Sequence, residues 1–235
     1  MKNEISFTKV KLPFGWLGNM SAYPIEYLGK TWKTNEALFQ ALRFEDGEIR
    51  EAIRNEPSPM GAKLKVKEIV KYLIKNDEQH KRIVEPLSDK DVENMELCIR
   101  LKIEQHPDLR QALLATVGKK IYEDVTSRGR KWTNLFWGAI KHEDGSWEGK
   151  NTLGEIWMKT RDEIIDEYKQ FSLADKAAKF GLSEDPYKEL KEAYDLGYDI
   201  AELFTETMQW HVPLKITWDK PSKCYRISRK GNLTL

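Results

Sequence analysis

The polar residues best placed for chemistry are Asn19 in FGWLGN, Glu36 in WKTNEALFQ, Lys63 in GAK, Asn134 in TNLFWG and Asn151 in GKNTLG. Most stand beside an aromatic ring. An amide or acid next to a tryptophan suits recognition of a base or a sugar, because the ring covers a flat face while the polar group fixes an edge. Other chemistries lack their parts. The chain has no Ser-His-Asp signature, no phosphate-cradling GxxxxGK and no GxGxxG. His80, His106, His142 and His211 form no HExxH or other zinc spacing, and Cys98 and Cys224 form no CxxC. Neither a metal nor a cofactor is expected, and the two lone cysteines point to a reducing, cytoplasmic setting.

The elements that must position these residues follow from periodicity. Ile5–Val10 alternates as a strand does, and two extended pieces flank Gly29 between Tyr23 and Trp32. Thr34 is the N-cap of a helix whose apolar face is Ala37, Leu38, Ala41 and Leu42. A second helix spans Glu48–Arg54 and a third Ser58–Ile74, with Ala62, Val66, Ile69, Val70 and Leu73 inward and its lysines on the other, solvated side. Ser88 opens a fourth, with Asp91 completing a weak capping box and Val92, Met95, Ile99 and Ile103 as its stripe. Pro107 begins another, over Asp108–Thr116, and Lys119–Glu123 is extended. Residues 126–151 read as an aromatic, turn-rich loop that leaves Trp132, Phe136, Trp137 and Trp147 outside regular structure, and Thr152–Tyr168 returns to helix. Beyond residue 169 the composition shifts. Helices are expected over 172–180, 184–196 and 199–210, then a hairpin of KITW and CYRI that is rich in Lys and Arg. The fold class is therefore α+β and mainly helical, with small β elements, followed by a helical extension over 170–235 that ends in a β-hairpin.

Composition sets the outer limits. With 235 residues, 39 Lys and Arg against 38 Asp and Glu, the net charge is +1, so a protein that coats nucleic acid is excluded while a local basic patch is not. The chain is long enough to bury roughly 70% of its unfolded surface without disulfides or structural metal. It has no apolar leader and no window approaching a membrane span, so no membrane partner is expected. The 8 Trp, 9 Tyr and 8 Phe are the compositional oddity, serving either a core or a stacking platform.

Taken in order, FGWLGNMSAYPI, GKTWKTNEALFQALRF, PSPMGAK, LKIEQHPDLRQALLAT, FWG and GKNTLGEIWMKTRDEI resemble the NADAR family over the first 165 or so residues. That resemblance implies a metal-free N-glycosidase acting on a ribosylated or ADP-ribosylated base, either an ADP-ribosylated guanine or a ribosylaminopyrimidine phosphate of riboflavin synthesis. Breaking a ribosyl C–N bond passes through an oxocarbenium-like state, which needs an anion, a proton donor for the leaving base and a nucleophile. By the resemblance Glu36 is the anion, Lys63 attacks or holds the ribosyl group, and Glu123 and Asn134 complete the catalytic set. Asn19, Trp32, Gln40, Lys102, Trp137, Gly138, Asn151, Gly154 and Arg161 then bind the substrate. The chain departs from the family pattern in having Ala37 where a histidine commonly follows the glutamate, and Asn134 where aspartate is frequent. The alternative those departures raise is a non-catalytic module that binds ADP-ribose or a nucleotide. The basic C-terminal segment is a further candidate contact for a modified nucleic acid, and the sequence leaves the oligomeric state open.

Overall fold

The computed structural model describes residues 3–170 and the two strands Leu214–Asp219 and Cys224–Arg229. The architecture is α+β with helices dominant. Strand β1 (Glu4–Phe7) pairs in parallel with β4 (Lys120–Glu123), bringing Phe7 opposite Glu123. Five helices fill the crossover between them: α1 (Asn35–Ala41), α2 (Gly47–Arg54), α3 (Pro59–Lys75), α4 (Asp89–Gln105) and α5 (Pro107–Leu114). A hairpin of β2 (Ile25–Tyr27) and β3 (Lys30–Trp32) precedes α1. After β4 come α6 (Trp132–Trp137), a short β5–β6 hairpin (Ile140–Lys141 and Trp147–Glu148) and α7 (Thr152–Gln170).

Capping explains why the helices start where they do. The hydroxyls of Thr34, Ser58 and Ser88 accept from the backbone N–H groups of Ala37, Gly61 and Asp91 respectively, each satisfying a donor that the helix leaves open. The expected capping box at Asp91 does not close. Its carboxylate takes the Leu87 N–H and is gripped by Arg43 through two bonds of 2.8 Å.

Two unit-forming clusters are distinguished: Met1–Leu109 with Gly118–Thr160, and Arg110–Val117 with Arg161–Leu235. The core of the first buries Leu17, Ile25, Leu38, Ile53, Ile99, Ile121 and Trp157 almost completely. Trp157 also donates its indole N–H to the Leu17 carbonyl at 2.9 Å, so the ring is both packed and satisfied. The described part of the second cluster includes strands β7 (Leu214–Asp219) and β8 (Cys224–Arg229), an antiparallel pair that sets Trp218 opposite Tyr225. These contain the expected KITW and CYRI strands. The helices expected over 172–180, 184–196 and 199–210 lie outside the described residues.

Two expectations are corrected. The strand expected over Ile5–Val10 ends at Phe7, because the chain turns at Lys9, whose carbonyl accepts the Leu12 N–H, and Gly15 then packs against Val10 so closely that a Cβ would lie 2.4 Å from its carbonyl oxygen. The stretch 126–151 is not simply loop. Trp132, Phe136 and Trp137 lie on α6 and Trp147 on β6, since their rings find partners: Trp137 meets Phe136 and Phe39 edge to face, and Trp147 stacks on Tyr122 at 4.4 Å.

Candidate active site

Glu36 lies in the first turn of α1 and is buried, although it is acidic. Its backbone N–H, one of the open donors of the helix start, is taken by the Asn19 carbonyl at 3.0 Å, which ties α1 to the loop before β2. One turn on, Gln40 donates to Glu36 Oε1 at 2.9 Å and accepts from Arg43, which is in turn held by the buried Asp91. The carboxylate is thus oriented by a chain of hydrogen bonds that runs down one face of α1. Lys63, on α3, brings its ammonium to 3.6 Å from the same Oε1 and remains half-exposed. One charge is therefore buried and pre-oriented while its partner reaches solvent.

Glu123, at the end of β4, is also buried. Burial pushes its carboxyl above the usual range, and the charge of Glu36 adds to this; Arg128 at 2.7 Å and the charge of Lys63 act the other way. Glu36 and Lys63 are hence near enough for their charges to act on Glu123. Gly138 lies against this strand because a Cβ there would stand 2.5 Å from the Glu123 carbonyl oxygen, so only glycine lets the end of α6 approach β4. Asn151 sits at a left-handed φ of 53° just before α7. Its side chain accepts from the Glu123 N–H at 3.0 Å and donates to the Ile121 carbonyl at 2.8 Å. Gly154 completes the same contact, since a Cβ would meet the Ile121 oxygen at 2.2 Å.

Several buried polar atoms near α1 have no hydrogen-bond partner among the described residues: Trp32 Nε1, both side-chain atoms of Asn35, and Asn19 Oδ1, whose own Nδ2 reaches Met95 Sδ at 3.0 Å. Buried polar atoms are normally paired, so such a group marks where water or a ligand would be bound. Trp137 stays half-buried, with its ring against Phe39 of α1.

The remaining candidates are engaged with protein. Lys102 is almost fully buried; it donates to the Trp16 carbonyl at 2.5 Å and to Ser21 Oγ at 2.7 Å, and lies over the rings of Tyr23 and Trp157. Burial lowers its ammonium to about 7. It therefore pins the loop that carries Asn19. Asn134 donates to the carbonyls of Arg128 and Gly129, both at 2.9 Å, and so shapes the turn that supplies Arg128. Arg161 is buried and donates to the Thr116 carbonyl at 2.7 Å. Arg128, Asn35 and Arg43 are not singled out by the sequence; only Asn35 carried a signal there, as the neighbour of Glu36 in WKTNE. Among the described residues no group of three His, Cys, Asp or Glu could hold a metal ion, and no helix is long and apolar enough to cross a membrane.

Comparison with known proteins supplies the family. N-glycosidase YbiA of Escherichia coli (strain K12) is 36% identical over 160 residues, covering 68% of this chain and 88% of that protein. The riboflavin biosynthesis protein VVA0006 of Vibrio vulnificus is 27% identical over 165 residues, which is 70% of this chain and 39% of that one. N-glycosidase R617 of Acanthamoeba polyphaga mimivirus matches at 38% over a shorter stretch of 71 residues, 27% of this chain and 38% of that protein. The NMR structure of the E. coli protein YbiA superposes with a TM-score of 0.54 at 31% identity, covering 73% of this chain and 90% of that chain. The NADAR domain profile matches residues 6–165, and with it the chain belongs to the NADAR domain family.

Proposed function

We propose that the protein hydrolyses the N-glycosidic bond of a ribosylated or ADP-ribosylated base. The observation that carries this reading is the buried, hydrogen-bonded Glu36 with Lys63 at 3.6 Å and a second buried acid within the reach of both charges. The names of two relatives, both N-glycosidases, support the reaction class. Glu36, kept oriented by Gln40, faces the positive charge that develops on the ribose and takes a proton from the attacking water. Glu123, whose carboxyl burial holds up, gives a proton to the departing base nitrogen; two acids in unlike environments thereby take unlike roles. Lys63 holds the ribosyl group, or passes a proton to Glu36 and attacks C1′ of the ring-opened sugar; the base then leaves as its amine and water hydrolyses the resulting lysine imine. Trp32, Trp137 and Asn19 enclose the base.

A non-catalytic binding module is the second reading. What favours it is that Ala37 is buried and offers no proton, while the Asn134 amide is spent on two backbone carbonyls. Incubation of the protein with ADP-ribosylated guanosine and, separately, with a ribosylaminopyrimidine phosphate, followed by mass spectrometry, separates the two. Free base identifies a glycosidase and its substrate class; intact ligand retained on the protein supports the binding module.

A further inference from the structure

An amide side chain can be turned end over end, and at Gln40 the neighbours decide which way it lies. Its Oε1 is 2.8 Å from Arg43 Nη1 and its Nε2 is 2.9 Å from Glu36 Oε1. A guanidinium has donors and no acceptor, so the amide oxygen must face Arg43 and the NH2 must face Glu36. Turning the amide over would set donor against donor at Arg43 and oxygen against oxygen at Glu36. Arg43 is itself fixed. Its Nε and Nη2 grip the two oxygens of Asp91 at 2.8 Å each, and its guanidinium lies over the Phe39 ring, 4.5 Å from the centre. Asp91 is fully buried in the first turn of α4, and its Oδ2 also accepts the Leu87 N–H. The order of roles, acceptor at Asp91, donor at Arg43 and an oriented amide at Gln40, leaves Oε1 of Glu36 only the role of acceptor. Lys63 adds a cation 3.6 Å from the same oxygen. No hydrogen bond reaches Oε2 of Glu36 among the described residues.

We infer that Asp91 and Arg43 are positioning residues for the reaction: acting through the Gln40 amide, they keep Glu36 Oε1 an acceptor and reserve Oε2 for the proton that Glu36 takes up. The polarity of the amide stands on geometry alone, whereas the use of Oε2 rests on the N-glycosidase reading. In that reaction the water oxygen bonds to C1′ as the C1′–N bond breaks, its electron pair going to the base. The water's proton passes to Oε2, and the base nitrogen takes the proton of Glu123. A proton placed on Oε1 would instead face the Gln40 NH2 and the Lys63 ammonium, with no acceptor to receive it.

The test uses the full chain, isotopically labelled at the glutamate side-chain carboxyl carbons and titrated by NMR, with Glu36→Gln identifying the Glu36 signal. Arg43→Met/Asp91→Asn removes one positive and one negative charge and keeps an acceptor for the Leu87 N–H. The summed charge near Glu36 is therefore unchanged, while the Gln40 amide is freed to turn. The other ionisable groups that face Glu36, namely Lys63 on α3, Glu123 on β4 and Cys98 on α4, stay in place. In this variant the Glu36 carboxyl is expected to titrate at a pH higher than in wild type by at least about 0.5, because its acid form can now donate to the amide oxygen. Gln40→Met raises the midpoint as well, by removing the donor, and adding the Arg43 and Asp91 changes to it moves the midpoint no further. Equal midpoints in wild type and Arg43→Met/Asp91→Asn overturn the inference. So does an undiminished shift in the Gln40→Met background, since the pair would then act on Glu36 without the amide. If the double variant does not fold, Gln40→Met carries the test alone, and a midpoint unmoved from wild type overturns the inference. In turnover the acidic limb of kcat/KM rises with the midpoint, and Arg43→Lys, which keeps a cation that only donates, retains the wild-type limb. Because the midpoint is read without turnover, a raised midpoint in a protein that releases no base removes the N-glycosidase reading and leaves the chain from Asp91 to Glu36 standing.

Discussion

In the proposed reaction Glu123 is the side chain whose protonation most directly couples structure to turnover. Burial raises its carboxyl and Arg128 opposes that rise. If Glu123 is the proton donor, activity declines as pH climbs through its pKa, and this gives the basic limb of the pH profile. Arg128→Gln removes the opposing charge, so that limb moves to higher pH in kcat/KM; an unmoved limb would assign the proton to another group. Lys102 makes a separate prediction, about stability. Its ammonium is lowered to about 7 by burial, against an ordinary value of 10.5. Between those values the unfolded chain holds a proton that the folded chain has released, so Lys102 makes stability rise with pH by up to about 1.4 kcal/mol per unit. Below pH 7 both states are charged and the contribution is flat. Urea unfolding at pH 7, 8 and 9 is expected to give a flatter dependence for Lys102→Met than for wild type, whatever the offset between them; equal slopes would place the lysine's proton elsewhere.

The β2–β3 hairpin turns on Leu28 and Gly29, both at positive φ, 50° and 71°. A left-handed leucine is costly, and Leu28 is exposed, so its side chain returns little by burial. Leu28→Asn restores the residue pair that such two-residue turns favour and is expected to stabilise by about 0.5–1 kcal/mol, measured as a higher urea midpoint at unchanged m-value. Helix starts at Thr34, Ser58 and Ser88 could be read from the sequence because capping is local: a hydroxyl and a backbone N–H three residues away decide it. The end of β1 and the existence of α6 could not. α6 depends on a partner far along the chain, Phe39 against Trp137, and β1 ends both at the turn of Lys9 with Leu12 and where its partner strand ends, with Phe7 opposite Glu123.

In the molecule as a whole the same division holds for the site. Glu36 and Lys63 are readable as candidates because each sits in a short distinctive string, and the fold brings them together across 27 positions of sequence. Lys102, Asn151 and Arg161 look equally polar in the sequence, yet the fold commits them to the Trp16 carbonyl, the β4 backbone and Thr116 respectively. Residue type told what each could donate or accept, while tertiary packing decided to whom. The unpaired atoms of Trp32 and Asn35 show the converse: nothing in WKTNE distinguishes a satisfied amide from one left open. The central claim is that the buried Glu36 performs chemistry on a bound ribosylated base, and Glu36→Gln tests it most directly, since it keeps the side chain's shape and removes its charge. Base release by the variant and by wild type is compared by mass spectrometry on the same substrate, with ligand binding measured in parallel. The account predicts that the variant still binds but releases base at least about 100-fold more slowly; release at the wild-type rate would contradict it.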